Sequence, residues 1–377
     1  MDIDHEVRLR LKTTPPNVPV FRPNLGDVLG RVRVRRIRRY AGAAAVAVLL
    51  LGGVGVPLAM LSGLGGSSRQ PISPPPLAVR AVFGATIRVT EGAVDVAVGE
   101  GAVWVSGFGS LTRFDPGTDR VVAIVQTPGT EDYSQVAVGL GAVWVTADGG
   151  ILYRIDPVTN SVAATIRVGG PIQGVETGGA YVWVTRPTDE VGELIRVDPA
   201  TNHVTGRPIE VGPGPIAAVY AFGALWVTNT SPPSVVRVDP STGEVTTTSF
   251  TGRLAAGYGS LWSASDDSLV RVDPETGETT ATIRVPRAWA VAAGEGQVWV
   301  LALPESSSPT LFYPIEGTAA LWEIDPSTNG IIGEPVQLDA LQPLALALGS
   351  QAAWVADYDG GTVTRFDLVP CEGSSCD

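Results

Sequence analysis

One tryptophan recurs along this chain at a nearly even interval, and that recurrence restricts the fold more than any other feature. Trp104, Trp144, Trp183, Trp226, Trp262, Trp299 and Trp354 occupy one repeat position, at spacings of 40, 39, 43, 36, 37 and 55 residues. Most lie in a hydrophobic strand with Val next to the ring, as in GAVWVSG, GAVWVTA and GALWVTN. A second strand follows and ends in Asp, as in LTRFDPGTD, LYRIDPVTN, LIRVDPATN, VVRVDPSTG, LVRVDPETG and LWEIDPSTN. A third comes after the turn (SVAATIRVG from Ser161) and a fourth precedes the Trp strand (SQVAVGLG from Ser134). Alternation at period two, rich in Val, Ile and Thr, reads as strand throughout.

Four short strands per unit of about 40 residues, seven times over, predict an all-β, seven-bladed β-propeller with four-stranded blades over residues 77–370. The seventh unit stops after its third strand, near Phe366 to Leu368, and lacks an outer one. The segment AVFGATIRV, residues 81–89, carries the ATIRV that recurs at 164–168 and 281–285. An N-terminal strand is therefore expected to complete the last blade and close the ring, which removes exposed sheet edges.

The G-x-G-x-[VL]-W-V strand followed by R-[VIF]-D-P-x-T-[GN] resembles the YVTN-type and virginiamycin B lyase-like propellers, over residues 81–369. The resemblance speaks to fold more than to function, because one fold hosts many activities. For the lyase, it implies a streptogramin-lyase type of chemistry: elimination that opens a cyclic peptide lactone, with a histidine base and a magnesium ion. The chain departs from that pattern. It has two histidines, His5 and His203, and His203 lies in the turn PATNHVTG. That turn is on the face away from the variable loops, where no base there reaches a substrate proton. A carboxylate such as Asp266 is the remaining route to an enzyme, and the reading leans away from catalysis. No catalytic residue, metal ligand or cofactor is assigned.

The repeated elements themselves have structural explanations. In D-P-x-T-[GN] the Asp accepts backbone hydrogen bonds, Pro presets φ, and the final Gly or Asn tolerates a left-handed backbone. Asp115, Asp156, Asp198, Asp239, Asp273 and Asp325 therefore read as turn residues, and the tryptophans as wedges between blades.

Charge divides the chain in two. Its net charge is −12, yet residues 1–40 hold ten basic and four acidic residues, a basic leader of +6 that leaves −18 for the remainder. Between them, Ala41 to Leu64 contains no charged residue. A helix of 24 residues spans about 36 Å, enough for a bilayer core of roughly 30 Å. The basic run RVRVRRIRRY abuts its N-terminal end, so the positive-inside rule puts residues 1–40 in the cytoplasm. Everything after the span is then extracytoplasmic on a single-pass cell-membrane protein. A cleaved signal peptide is the competing reading. The leader lacks interleaved aromatics, so its charge sets topology rather than binding nucleic acid. Residues 65–76, GGSSRQPISPPP, form a linker, and 371–377 a tail in which Cys371 and Cys376 read as a short disulfide loop, with a reactive thiol as the alternative. Arg outnumbers Lys 25 to 1, a composition of GC-rich bacteria such as actinobacteria.

Function is expected where the repeats differ. With strands labelled A to D outwards from the axis, the A–B and C–D turns share a regular face, and the B–C and D–A connections share a variable one. The variable face gathers the candidate ligand-binding residues Tyr133, Arg186, Arg253, Asp266, Asp267, Arg287, Trp289, Asp357 and Tyr358, with Asp359 beside them. The insertion from Pro304 to Gly317 carries Phe312 and Tyr313, placed to cap the channel mouth, serve a partner surface or pack on neighbouring blades. Acids dominate this face, which suits a cationic or sugar-like small ligand, a metal or a basic protein partner better than a polyanion. The expected molecule is a monomeric, membrane-anchored sensor or scaffold; an anti-sigma-type transmembrane regulator is a further alternative.

Overall fold

Each tryptophan strand becomes the second strand of a four-stranded antiparallel sheet, and seven such sheets form the ring. The computed structural model describes residues 79–370 apart from 90–91, 131–133, 189, 305–317 and 341. The leader, the apolar span, the linker, Tyr133, Phe312, Tyr313, Cys371 and Cys376 lie outside the described residues. Among the described residues no helix is long and apolar enough to cross a membrane.

The first strand, β1 (Val79–Arg88), belongs to the last blade. Blade 1 contains β2 (Asp95–Gly99), β3 (Ala102–Gly107), β4 (Ser110–Asp115) and β5 (Arg120–Gln126), and blade 2 contains β6 (Val136–Gly139), β7 (Ala142–Ala147), β8 (Ile151–Asp156) and β9 (Ser161–Arg167). Blade 3 comprises β10 (Val175–Gly178), β11 (Tyr181–Arg186), β12 (Glu193–Asp198) and β13 (His203–Glu210). Blade 4 comprises β14 (Pro215–Ala221), β15 (Ala224–Thr230), β16 (Pro233–Val238) and β17 (Val245–Thr247). Blade 5 runs through β18 (Arg253–Gly257), β19 (Ser260–Ser265), β20 (Ser268–Val272) and β21 (Thr279–Arg284). Blade 6 runs through β22 (Ala288–Gly294), β23 (Gln297–Ala302), β24 (Ala319–Asp325) and β25 (Gly330–Leu338). Blade 7 has β26 (Pro343–Gly349), β27 (Ala352–Asp357) and β28 (Thr362–Pro370), and β1 pairs antiparallel with β28 as its outer strand. The two ends of the described chain thus share one sheet. The innermost strands touch in the cyclic order β2, β6, β10, β14, β18, β22, β26 and back to β2. The ring is closed, and closure leaves only short outer edges.

The core lies between blades. All seven repeat tryptophans are fully buried. Trp104 packs with Val136, Val138, Val143 and Val145 of the next blade, burial worth on the order of 4 kcal/mol per ring. Except for Trp299, each indole N–H donates to the backbone carbonyl five residues earlier, as in Trp104 Nε1 to Gly99 O at 3.2 Å. Opposite each tryptophan on the innermost strand stands Ala, except for Val219 in blade 4 and Glu176 in blade 3. A small residue there leaves room for the indole of the same sheet.

The D-P-x-T-[GN] turns bind neighbouring blades together. Asp115 Oδ1 accepts from the backbone of Gly117 and Thr118, and Asp239 Oδ1 from Ser241 and Thr242. The Ser241 hydroxyl and these N–H groups hold the Asp239 carboxyl down to about 2. The last turn position adopts positive φ, at Asp119 (57°), Asn160 (55°), Asn202 (60°) and Asn329 (58°), or is glycine, at Gly243 and Gly277. Two strand positions before each turn Asp, an arginine lies over the tryptophan of its own blade: Arg113 is 5.1 Å from the Trp104 centroid and Arg271 5.0 Å from Trp262. From blades 1, 2, 5 and 7 the arginine then reaches the turn of the next blade. Arg113 Nη1 donates to Pro157 O (2.6 Å) and Asn160 Oδ1 (2.7 Å), and Arg154 repeats this with Pro199 and Asn202. Arg271 repeats it with Pro326 and Asn329, and Arg365 closes the circle on Pro116 and Asp119. Blade 7 lacks the D-P turn, and blade 6 carries Glu323 at the arginine position. Its Oε1 accepts from Ala81 N–H at 2.6 Å, linking blade 6 to β1.

Candidate functional site

The variable face is built at the beginnings of the innermost strands and the ends of the tryptophan strands. Arg253, the first residue of β18, lays its guanidinium 3.4 Å from the centroid of Trp289 in β22. A register shift between Ala288 and Ala290 leaves Trp289 in a bulge, which re-aims its side chain. The Trp289 indole N–H donates to Leu344 O in β26 at 3.1 Å. Arginine, indole and carbonyl thus bridge blades 5, 6 and 7 in one chain of contacts. Both side chains are half-buried. Burial lowers the Arg253 guanidinium to about 9, which leaves it cationic at neutral pH. A cation over an indole face is worth about 1–2 kcal/mol when partly desolvated.

Beside this stack, Asp267 Oδ1 accepts from Arg287 N–H at 3.0 Å, tying the B–C turn of blade 5 to the connection into blade 6. Asp266 occupies the same turn with positive φ (48°) and is exposed. Arg253, Asp266, Asp267, Arg287 and Trp289 therefore converge at blades 5 and 6. Asp357 and Tyr358 form a second group, where blade 7 meets blade 1. Asp357 Oδ1 accepts from Gln342 N–H (2.7 Å), and the Tyr358 ring meets Phe108 of blade 1 edge to face at 5.6 Å. Partial desolvation and the Asp357 charge push the neighbouring Asp359 carboxyl above its ordinary value.

Arg186 stands apart from both groups. Its guanidinium pairs with Glu193, directly opposite on the adjacent strand, and Nη1 donates to Gly169 O at 3.2 Å. That arginine joins blade 3 to the connection leaving blade 2. The B–C connection of blade 4 is only Ser231 and Pro232, because β15 runs to Thr230 and β16 starts at Pro233. Its Asn229 turns inward instead, with Nδ2 donating to Val211 O at 2.7 Å. His203 is exposed at the start of β13 on the regular face, its Nδ1 2.7 Å from Thr201 O.

Buried polar residues nearer the axis escaped the sequence reading. Asp95 is 1% exposed and accepts from Val96 N–H and from Val136 N–H of the next blade; burial raises its carboxyl to about 8. Glu176 is 3% exposed, its Oε2 has no partner, and burial pushes it well above the usual carboxylate range against hydrogen bonds from Tyr220 and Thr177. Gln135 crosses the mouth from blade 2 to blade 4, with Nε2 donating to Ile216 O at 3.3 Å. Gly174 allows that approach of blades, since a Cβ there would sit 2.7 Å from Ile216 O. The repeat register carried a signal for Glu176, the one charged residue among alanines and a valine. Asp95 and Gln135 had none, because polar residues opening a strand are commonplace.

Chemically, the mouth offers a cation held on an aromatic face, exposed carboxylates around it, and polar side chains crossing beneath. Among the described residues no group of three or more His, Cys, Asp or Glu side chains is placed to hold a metal ion. No protein-family model matches this chain, and no curated protein matches it. Among solved structures, it is similar to Kuenenia stuttgartiensis hydrazine synthase, with 14% identity and a TM-score of 0.46 over 57% of this chain and 70% of that one.

Proposed function

We propose that this protein is a membrane-anchored, extracytoplasmic binding module, whose propeller takes a small polar, sugar-like ligand at the variable-face mouth. The observation that carries the site is Arg253 stacked on Trp289 within a mouth rimmed by the exposed Asp266 and Asp359. Aromatic faces bind the C–H surface of a sugar, and arginine and carboxylates bind its hydroxyl groups. The anchor is the uncharged stretch from Ala41 to Leu64, oriented by the ten basic residues before it. The repeat motif supports kinship with YVTN-type and virginiamycin B lyase-like propellers. Binding is favoured over lyase chemistry because the one described histidine, His203, faces away from the mouth.

The test is a titration of full-length protein with neutral mono- and disaccharides, followed by tryptophan fluorescence. Binding is expected to change the emission, Trp289→Phe to remove that change, and Arg253→Gln to weaken affinity at least tenfold. Saccharide binding that is unaffected by both substitutions would remove the site, and no saccharide response in the wild type would remove the ligand class.

A further inference from the structure

On the regular face, two blade interfaces break the arginine rule: Arg196 faces a turn ending in Gly243 and Arg237 one ending in Gly277, and the first of them opens onto a cleft. Arg196 of blade 3 corresponds to Arg113 and Arg154, and it lies over Tyr181 at 4.7 Å and Trp183 at 5.9 Å. The turn it faces in blade 4 ends in Gly243, as the blade 5 turn ends in Gly277, whereas the turns of blades 1, 2, 3 and 6 end in Asp119, Asn160, Asn202 and Asn329. Arg196 consequently forms no hydrogen bond or ion pair with a described residue. Its guanidinium opens into a cleft of about 470 Å³, lined also by Arg207, Glu210, Ser241, Thr242 and Gly243. The outer strand is bulged here, and Gly206 makes space for the arginine head: a Cβ at that position would lie 2.6 Å from Arg196 Nη2.

We propose that this cleft binds a carboxylate-bearing ligand, whose carboxylate takes the place that Asn or Asp fills at four of the other interfaces. Arg365 holding Asp119 Oδ1 at 2.6 Å is the same pairing made within the chain. A guanidinium already stacked on aromatic rings loses little rotational freedom when it pairs, so it is prepared to bind. Arg207, exposed at the rim, adds a second positive charge, and Glu210 in the same lining disfavours a doubly charged phosphate. The carboxylate can come from a free organic acid or from an acidic peptide side chain, and the two share this chemistry.

The experiment measures phenylglyoxal modification of Arg196 in full-length protein by peptide mass spectrometry, at constant ionic strength. Acetate, a blocked peptide with a single aspartate, inorganic phosphate and chloride are compared. Acetate or the peptide is expected to slow modification at least fivefold relative to chloride. Stronger protection by the peptide assigns a protein side chain as the source, and equal protection a free acid. Gly243 has φ of +77°, a conformation Asn tolerates, and a Cβ there meets Ile209 at an ordinary 3.7 Å. Gly243→Asn should therefore let the chain fill its own vacancy, raising Tm by about 2 °C and making Arg196 unreactive with or without acetate. Arg207→Gln, at an exposed position, should reduce the protection about threefold. Chloride protecting as well as acetate, phosphate protecting better, or acetate-dependent protection persisting in Gly243→Asn would each overturn the proposal.

Discussion

The interface between blades 1 and 2 and the one between blades 3 and 4 use the same parts and end in different states. Each places a buried carboxyl on an innermost strand, hydrogen-bonded to the backbone of the next blade: Asp95 to Val136 and Glu176 to Tyr220. Each stacks an arginine over the tryptophan of its second strand. In the first interface Asp95 uses both oxygens, and Arg113 holds Pro157 and Asn160. In the second, Glu176 Oε2 and the Arg196 guanidinium have no hydrogen-bond partner among the described residues. A repeat protein can thus keep its geometry while relaxing polar pairing at one seam, because apolar burial of tryptophans carries the interface. The relaxed seam keeps capacity to bind something else.

The largest way to probe the comparison is pH. Folding raises the pKa of Asp95 to about 8 and that of Glu176 well above its usual value, so the folded state holds protons that the unfolded state releases. Their stabilisation is complete below the unfolded values near 4 and is lost as pH rises towards 8. Glu323, raised to about 7, acts in the same direction. The turn carboxyls of Asp115, Asp156, Asp239, Asp273 and Asp325, held below the ordinary value by their turn hydrogen bonds, act only in more acidic solution. Thermal melts should therefore show higher Tm at pH 5 than at pH 8, and Glu176→Gln should flatten the slope. An unchanged slope in that variant would mean that the carboxyl at blades 3 and 4 is not the buried acid described.

Truncating the arginines comes next. Arg113→Ala removes a stack and two hydrogen bonds and should cost about 2 kcal/mol, whereas Arg196→Ala removes the stack alone and should cost less than half as much. Equal losses in chemical denaturation would erase the distinction between the two interfaces. A smaller effect is expected when the first interface is remade in the image of the second. Asn160→Gly deletes the acceptor but relieves a left-handed backbone, so the net loss should be about 0.5–1 kcal/mol. Combined with Arg113→Ala, it should add almost nothing further.

Much of this architecture could be read before any coordinates. The spacing of Trp104 to Trp354 carried the blade count, because each ring needs an identical wedge between sheets. The ATIRV of residues 81–89 announced the strand that pairs with β28. The turn roles of Asp115 and Asp239 followed from local stereochemistry within four residues. The site was less legible. Grouping Asp266, Asp267, Arg287 and Trp289 needed only loop order, but the stacking of Arg253 on Trp289 depends on a bulge that moves one side chain. Arg186 has the look of a free ligand-binding arginine, yet Glu193 stands directly across from it.

The division has a physical basis. Local and periodic properties, such as strand alternation, turn dihedrals, the apolar span and the split of charge, are determined by residues near one another in sequence, and the sequence alone determined them. Contacts between blades join residues some 40 to 80 positions apart, such as Arg113 with Asn160 or Gln135 with Ile216. Whether Arg196 finds an acceptor depends on the residue ending a turn in the next blade, and only closure of the ring brings those two positions together. Tertiary structure therefore decided which repeated arginines became fasteners and which, Arg196 and Arg237, met a glycine instead of an acceptor.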